Sequence, residues 1–434
     1  MYQKQIQKVL TGGVNLLPPS DMLQEHQAEY ALNWRVDQVG ALKARQGTTL
    51  LYGGYPSYVH TLALVEGTAR TAAQRDRYVG ADEYLYLRDQ LVTLAGTSMP
   101  ATYDGTQLGW ASYRGYLWVM NQARQSRVDG ELAYAWTPAA PGAASTVAKT
   151  TGTLGGTVRY YVTYDTADGH ESNPSPVSAD VSDTAASFGV TLSDIPTSGD
   201  PQVTMRRIYR EGGQLPGPYR VHTLADNTTT TWTDDGTNDD ELIVRAPGIL
   251  LEFDHDPAPE AQGLAGPYFH RLLVFASGGH PNRLWYTPQM MPWYFPGSDD
   301  DAEGNWVDVG ELAEAIVAVS VRPRYCVIYK EKSIWRLVGD LENGVLEQTN
   351  SDTGLIGRRA WAQCGSFDVF QGKEGLHRFN GDTAEKITDN LDPIFKGMTA
   401  GSIIKRRPVE EDGREFACMA FKHGRLYYSY REAI

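Results

Sequence analysis

Five stretches of this chain carry the same strand–turn–strand signature, and their spacing limits the possible folds more than any other feature. They are ASYRGYLWVMN (111–121), PYFHRLLVFAS (267–277), VIYKEKSIWRL (327–337), VFQGKEGLHRF (369–379) and MAFKHGRLYYSY (419–430). Each places apolar or aromatic residues before a polar turn and then resumes an apolar run, which is a hairpin signal. Tyr113, Tyr329, Phe370 and Phe421 stand next to their turns, and a weaker sixth copy is YVGADEYLYLRDQLVTLA (78–95). Once residues 142–248 are set aside, the starts recur every 40–60 residues or so, the period of a four-stranded propeller blade. The remaining chain then holds about six or seven blades.

Residues 142–248 read as a different domain. In RYYVTYDTADGHESNPSPVS (159–178), Tyr160, Val162 and Tyr164 alternate onto one face, and Asp168-Gly169 supplies a turn in which glycine accepts a positive φ. Further strands are expected at 203–211, 219–226 and 228–236, with no internal repeat, as in a β-sandwich of about 100 residues. The small-residue segment TPAAPGAAST (137–146) leads in, and RAPGILLEFDHDPAPEAQG (245–263) leads out. Loop tips tolerate such insertions. The reading is an all-β chain: a propeller's first part at 1–141, an immunoglobulin- or fibronectin-like insert at 142–248, and the propeller's second part at 249–434.

The chain has 434 residues, 44 of them Gly and 25 Tyr, a balance that favours strands and turns over long helices. Its formal net charge of −14 argues against sequence-specific DNA binding, which relies on a basic patch. Cys326, Cys364 and Cys418 are widely spaced and odd in number, suggesting neither a zinc site nor a disulfide framework and fitting a reducing compartment. The opening MYQKQIQKVL lacks a signal-peptide core, and no apolar run approaches ~18 residues, so no membrane span is expected. PSDMLQEHQAEYALNW (19–34) suggests a short helix capped by Ser20 or Asp21, followed by a strand within VDQVGALKARQG (36–47).

Two stretches resemble the tail nozzle and tail hub proteins of short-tailed bacteriophages, a group that includes packaged-DNA stabilisation proteins. The first is GGVNLLPPSDMLQEHQAEYALNWRVDQVGALKARQG (12–47), through Pro19, Ala28, Ala31, Asn33, Asp37, Gly40, Leu42, Arg45 and Gly47. The second is DTGLIGRRAWAQCGSFDVFQGKEGLHRFNGDTAEKITDNLDPIF (352–395), through Gly354, Gly375, Phe379, Asn380, Gly381, Ile387, Ile394 and Phe395. In the second, Gly375 permits a tight turn and Asn380-Gly381 is a hairpin signal. The insert resembles fibronectin-type domains common in phage structural proteins. The resemblance implies a virion tail subunit, assembled in the bacterial host cytoplasm and forming a ring of about six copies. Its implied partners are adaptor or portal proteins, fibres or spikes, and double-stranded DNA that passes without specific binding.

No phosphate-binding loop, His-Glu-x-x-His or Gly-x-Ser-x-Gly is present, so neither an enzyme nor a cofactor is expected. The DHD triplet (254–256) sits in a Pro-rich return segment, where a metal role is not the favoured reading. Two acidic runs, with Asp234, Asp235, Asp239 and Asp240 in one and Asp299, Asp300 and Asp301 in the other, do not follow calcium-loop spacing. They are candidates for an acidic channel lining. The alternatives are a tail protein that recognises a bacterial surface glycan and a propeller glycosidase.

Overall fold

The computed structural model describes residues 13–14, 27–28, 34–36, 42–44, 54–55, 59–66, 75–236, 249–297, 304–392, 395, 417–422 and 424–430. Their secondary structure is almost entirely strand, and they divide into two compact units. One contains residues 1–54, 280–283 and 308–434, and the other 55–279 and 284–307, so the insert falls in the same unit as the blades flanking it in sequence.

Near the N-terminus, β1 (Gly13–Val14) pairs in parallel with β2 (Gln27–Ala28), and β3 (Trp34–Val36) pairs antiparallel with β4 (Leu42–Ala44). Gln27–Ala28 is therefore strand where the sequence suggests helix: pairing with another segment overrides local propensity. The rest of the expected helix lies outside the described residues.

The first blade is β5 (Val59–Glu66), β6 (Arg75–Ala81), β7 (Tyr84–Leu87) and β8 (Gln90–Leu91), hydrogen-bonded in chain order. The chain then forms β9 (Thr93–Leu94), which adds in parallel to the far edge of the next blade. That blade is β10 (Gly109–Tyr113), β11 (Tyr116–Met120), β12 (Gln125–Asp129) and β13 (Leu132–Ala135). After the insert, which holds β14 to β18, come β19 (Ala261–Tyr268), β20 (Arg271–Ser277), β21 (Arg283–Tyr286) and β22 (Trp306–Asp308), then β23 (Ile316–Val321), β24 (Tyr325–Lys330), β25 (Ile334–Val338) and β26 (Val345–Gln348). The last full blade is β27 (Trp361–Cys364), β28 (Phe367–Gly372), β29 (Gly375–Phe379) and β30 (Ala384–Lys386), and a hairpin of β31 (Cys418–Lys422) and β32 (Arg425–Ser429) follows. The chain is all-β and built of propeller blades, five four-stranded meanders among the described residues.

Blades stack because their middle strands are apolar on both faces. Strand side chains alternate, so Leu117 and Val119 of β11 pack towards Ala63, Val65 and Tyr78 of the first blade. Trp118 and Met120, on the opposite face, pack with Leu264, Leu272 and Val274. β28 does the same in the other unit: Phe370 joins Val327 and Tyr329, while Val369 joins Leu376 and Met419. A buried polar tie accompanies the first of these contacts, with Asp368 accepting from Arg322 Nη2 at 2.5 Å and from the Tyr329 hydroxyl at 2.9 Å.

All six predicted stretches are hairpins, but they are not equivalent ones. Those near 111 and 267 join the first and second strands of a blade, whereas those near 78, 327 and 369 join the second and third. Their uneven spacing thus mixes two positions in the repeat.

The insert comprises β14 (Thr146–Thr166), β15 (Val181–Ser193), β16 (Val203–Gly212), β17 (Leu215–Leu224) and β18 (Trp232–Asp234), bonded as one five-stranded sheet rather than two separate ones. The 21-residue β14 makes this possible. Its first part pairs with β15, its second with β16, and register shifts between Thr150 and Gly156 bend it, with Gly156 at φ +72°. Tyr160 and Val162, as expected, enter the core with Phe188, Val190 and Ile208. The open edge of β14 is closed by three serines spaced three apart. Ser172, Ser175 and Ser178 donate backbone N–H groups to Tyr164, Val162 and Tyr160, and their hydroxyls accept the return bonds at 2.9, 3.0 and 2.9 Å. Residues 249–251 extend the sheet by pairing with β17, as Arg220 N donates to Ile249 O at 2.9 Å.

Candidate functional site

The described residues bring together no group of three or more His, Cys, Asp or Glu arranged for a metal ion. What they do bring together is a polar joint between the second blade and one end of the insert. Its centre is Arg127 on β12, whose side chain is 4% exposed. The guanidinium lies 4.4 Å over the Tyr116 ring and 5.1 Å from that of Tyr134. It donates to Asp168 Oδ2 at 3.2 Å and to Gln202 Oε1 at 3.1 Å, so one blade residue holds two separate turns of the insert. The Tyr116 hydroxyl also donates to Asp168 Oδ2, at 2.5 Å. Burial alone would raise the Asp168 carboxyl, but the Tyr116 hydroxyl and Arg127 hold it below its ordinary range.

The Asp168-Gly169 turn forms with Gly169 at φ +79° and delivers His170 into an aromatic cage. The imidazole stacks on Trp293 at 4.7 Å and lies 6.2 Å from Trp118. Burial, then the nearby Arg127 charge, push its pKa down to about 3, so it is neutral at pH 7. Trp118 packs on Trp136 at 4.8 Å, and Trp136 Nε1 donates to Pro292 O at 2.9 Å.

The DHD triplet is a second knot of the same joint. His255 Nδ1 is 3.2 Å from Ser172 O and Nε2 is 3.1 Å from Glu252 Oε2. Burial would lower its pKa, but the Glu252 carboxylate and the Ser172 carbonyl outweigh that and raise it. A protonated ring donating to both has no lone pair left for a metal. Asp256 accepts from Asn173 Nδ2 at 2.9 Å and from Gly297 N at 3.1 Å, while Asp254 is exposed.

Beside Arg127 a cavity of about 340 Å³ opens between the outer strands of the second blade and the insert's turn at Asp200-Pro201. Leu94, Ala133 and Pro201 contribute apolar wall, and Arg124, Gln125, Tyr134 and Asp200 contribute polar groups. Both Asp200 oxygens are engaged by Gln202, Oδ1 by its N–H at 3.1 Å and Oδ2 by Nε2 at 2.8 Å. Gln125 Nε2 is buried without a partner among the described residues. Gly96, at φ +77°, lets the blade approach: a Cβ there would stand 3.3 Å from Pro201 Cγ.

The acidic runs divide. Asp234 does not face solvent: it is 6% exposed and accepts from Arg210 Nη1 at 2.5 Å and from the Tyr160 hydroxyl at 3.0 Å. It is corrected from channel lining to core, because the fully buried Arg210 requires a carboxylate beside it. Asp235 is exposed, whereas Asp239, Asp240, Asp299, Asp300 and Asp301 lie outside the described residues.

Of the residues carrying the family resemblance, Pro19, Ala31, Asn33, Asp37, Gly40, Arg45, Gly47 and Ile394 lie outside the described residues, and Ala28 and Leu42 are described only as strand. Of the others, the glycines and Asn380 serve backbone geometry, Phe379 and Phe395 are buried in the core, and Ile387 is exposed. Gly354 passes so close to Lys330 O that a Cβ would lie 2.2 Å from it, and Gly375 has φ +146°. Asn380 Oδ1 accepts from the N–H groups of Asp382 and Thr383, making a four-residue turn at 380–383 with Gly381 at φ +110°. Phe379 is buried against Tyr329. Arg127, Gln202, Trp293 and Arg124 were not indicated by the sequence, since they come from distant segments; the Asp-Gly turn was the one local signal at the joint.

No family model and no curated protein matches the chain. Among solved structures, it is similar to BBS1N in complex with ARL6DN, at 9% identity over 77% of this chain and 84% of that one, with a TM-score of 0.26. It is also similar to Hsv2 of Kluyveromyces lactis, at 10% identity over 86% of this chain and 90% of that one, with a TM-score of 0.27. Likenesses of this strength carry no argument about what the chain does.

Proposed function

We propose that the chain is a non-catalytic structural subunit of a short-tailed phage virion, of the tail nozzle or hub type. It assembles with copies of itself into a ring of about six that retains packaged DNA and conducts it outward. Adaptor or portal proteins and fibres or spikes are its neighbours. The observation that carries the reading is the Arg127 joint. One buried guanidinium ties the insert to the blade at both Asp168 and Gln202, an arrangement that suits a subunit acting as one body within a ring. The blade glycines Gly354, Gly375 and Gly381, which carry the resemblance, support it through their tight backbone geometry.

Mass photometry and negative-stain microscopy of the purified full chain test the proposal. A closed ring of about six copies is expected. A protein that stays monomeric across the accessible concentration range, with no ring in the micrographs, refutes it.

A further inference from the structure

We propose that the cavity between the second blade and the Asp200-Pro201 turn binds a sugar acid: a single ring bearing one carboxylate and several hydroxyls. The polar inventory of the wall sets the ligand's chemistry. Among the described residues, the Arg124 guanidinium and Gln125 Nε2 are donors with no hydrogen-bond partner, and the Tyr134 hydroxyl beside them can donate or accept. The one carboxylate in the wall, Asp200, already accepts at both oxygens from Gln202. An occupant that pairs with Arg124 and Gln125 Nε2 brings acceptors, and Arg124, the one cation among the described lining residues, favours an anionic one.

The apolar part of the wall sets the rest. It is mostly alanine methyls with Leu94 and Pro201, offering no deep apolar slot for an acyl chain or an aromatic acid. Binding must come from hydrogen bonds, which suits a polyol. At about 340 Å³ the space is near the lower end of the roughly 300–1,000 Å³ range of ligand sites, the scale of a single ring. It is open to solvent, so a ring within a longer chain can enter. The wall is also fixed in advance, because Gln202, which secures Asp200, is itself held by Arg127 and lies 3.3 Å from Ala135 O. Neither the blade nor the insert has this site alone, which gives the insertion a role beyond bulk.

The test is a titration of the full chain with glucuronate and galacturonate, read by calorimetry and by saturation-transfer NMR, with glucose and acetate as controls. Both uronates are expected to bind at millimolar affinity or better, and glucose and acetate about tenfold more weakly or worse. Arg124→Ala and Gln125→Ala should each weaken uronate binding about tenfold without lowering the melting temperature, since both residues are partly exposed. Tyr134→Phe, which keeps the ring under Arg127, gives a milder variant should either alanine variant fail to fold. No uronate binding, equal binding of glucose and glucuronate, or full affinity in all three variants would overturn the proposal. Each outcome is read whether or not the chain forms a ring, so failure of the site and failure of the assembly reading are distinguishable.

Discussion

Asp234→Ala separates a core role from a surface role at one residue. The sequence places Asp234 in an acidic run, where an exposed residue contributes within about 0.5 kcal/mol on replacement. The structure places it 6% exposed, between the Arg210 guanidinium and the Tyr160 hydroxyl. Removing it strips a fully buried guanidinium of its carboxylate, a loss that costs about 3–5 kcal/mol. At roughly 1.4 kcal/mol per factor of ten, local opening of the insert becomes at least a hundredfold more frequent. Hydrogen–deuterium exchange followed by mass spectrometry reads this directly in peptides covering β14, β16 and β18. Exchange should accelerate there and stay unchanged in β27 to β30. The double replacement Arg210→Met with Asp234→Leu should recover much of the loss, because apolar residues of similar volume substitute well for buried pairs. If Asp234→Ala leaves exchange in these peptides at its original rate, the buried-pair reasoning is wrong.

Gly354→Ala should destabilise the last full blade by about 1–3 kcal/mol, since its Cβ would stand 2.2 Å from Lys330 O, a backbone atom fixed by its bond from Leu355 N. Gly365→Ala, at φ +73° with nothing within 4 Å, carries only conformational strain and should cost less; thermal unfolding of the two variants checks the order. The raised His255 pKa means that its tie to Glu252 is fully stabilising below the unfolded value of roughly 6.5 and is lost as pH rises through the folded value. His255→Gln should therefore flatten the stability–pH profile above about pH 6.5, measured by urea unfolding between pH 6 and 9 or so. With a net charge of −14, the isolated chain should show no submicromolar affinity for duplex DNA at ~150 mM salt in an anisotropy assay.

The blades were legible because hairpins are local. A run such as RLLVFAS, buried at every position of β20, announces a strand packed on both faces, and the turns between such runs are short. The strands β16, β17 and β18 fall close to their expected positions for the same reason. The first part of β14 did not stand out, since TVAKTTGTLGG is rich in Thr and Gly and is mostly exposed. The repeat looks uniform in sequence because a hairpin between first and second strands has the same local pattern as one between second and third. The joint was hidden for a different reason: Arg127, Asp168, Gln202 and Trp293 are brought together from four segments, and nothing local links them. One signal was available for Asp234. In MRRIYRE, alternation puts Arg206 and Arg210 on the same face as Ile208, and an arginine on a core face calls for a carboxylate.

Strand registers give the two ends of the insert different chemistry. Thr166 opposite Val203 and the turns at 166–170 and 200–202 belong to the end gripped by Arg127. Val158 opposite Gly212, and the bond from Thr153 N to Asp235 O at 2.7 Å, belong to the other end. The acidic run therefore begins where the insert is farthest along its strands from the clamp. With Asp234 committed to Arg210, Asp235 is the first residue of that run exposed to solvent, and it lies away from the cavity beside Arg124. Screening confines a carboxylate's influence to roughly 8–10 Å at physiological ionic strength. The exposed Asp235 and an anion-accepting cavity can thus coexist on one insert, because the length of its strands separates them. The serine-closed edge of β14 and the Arg127 clamp tie down the end of the insert that carries the cavity.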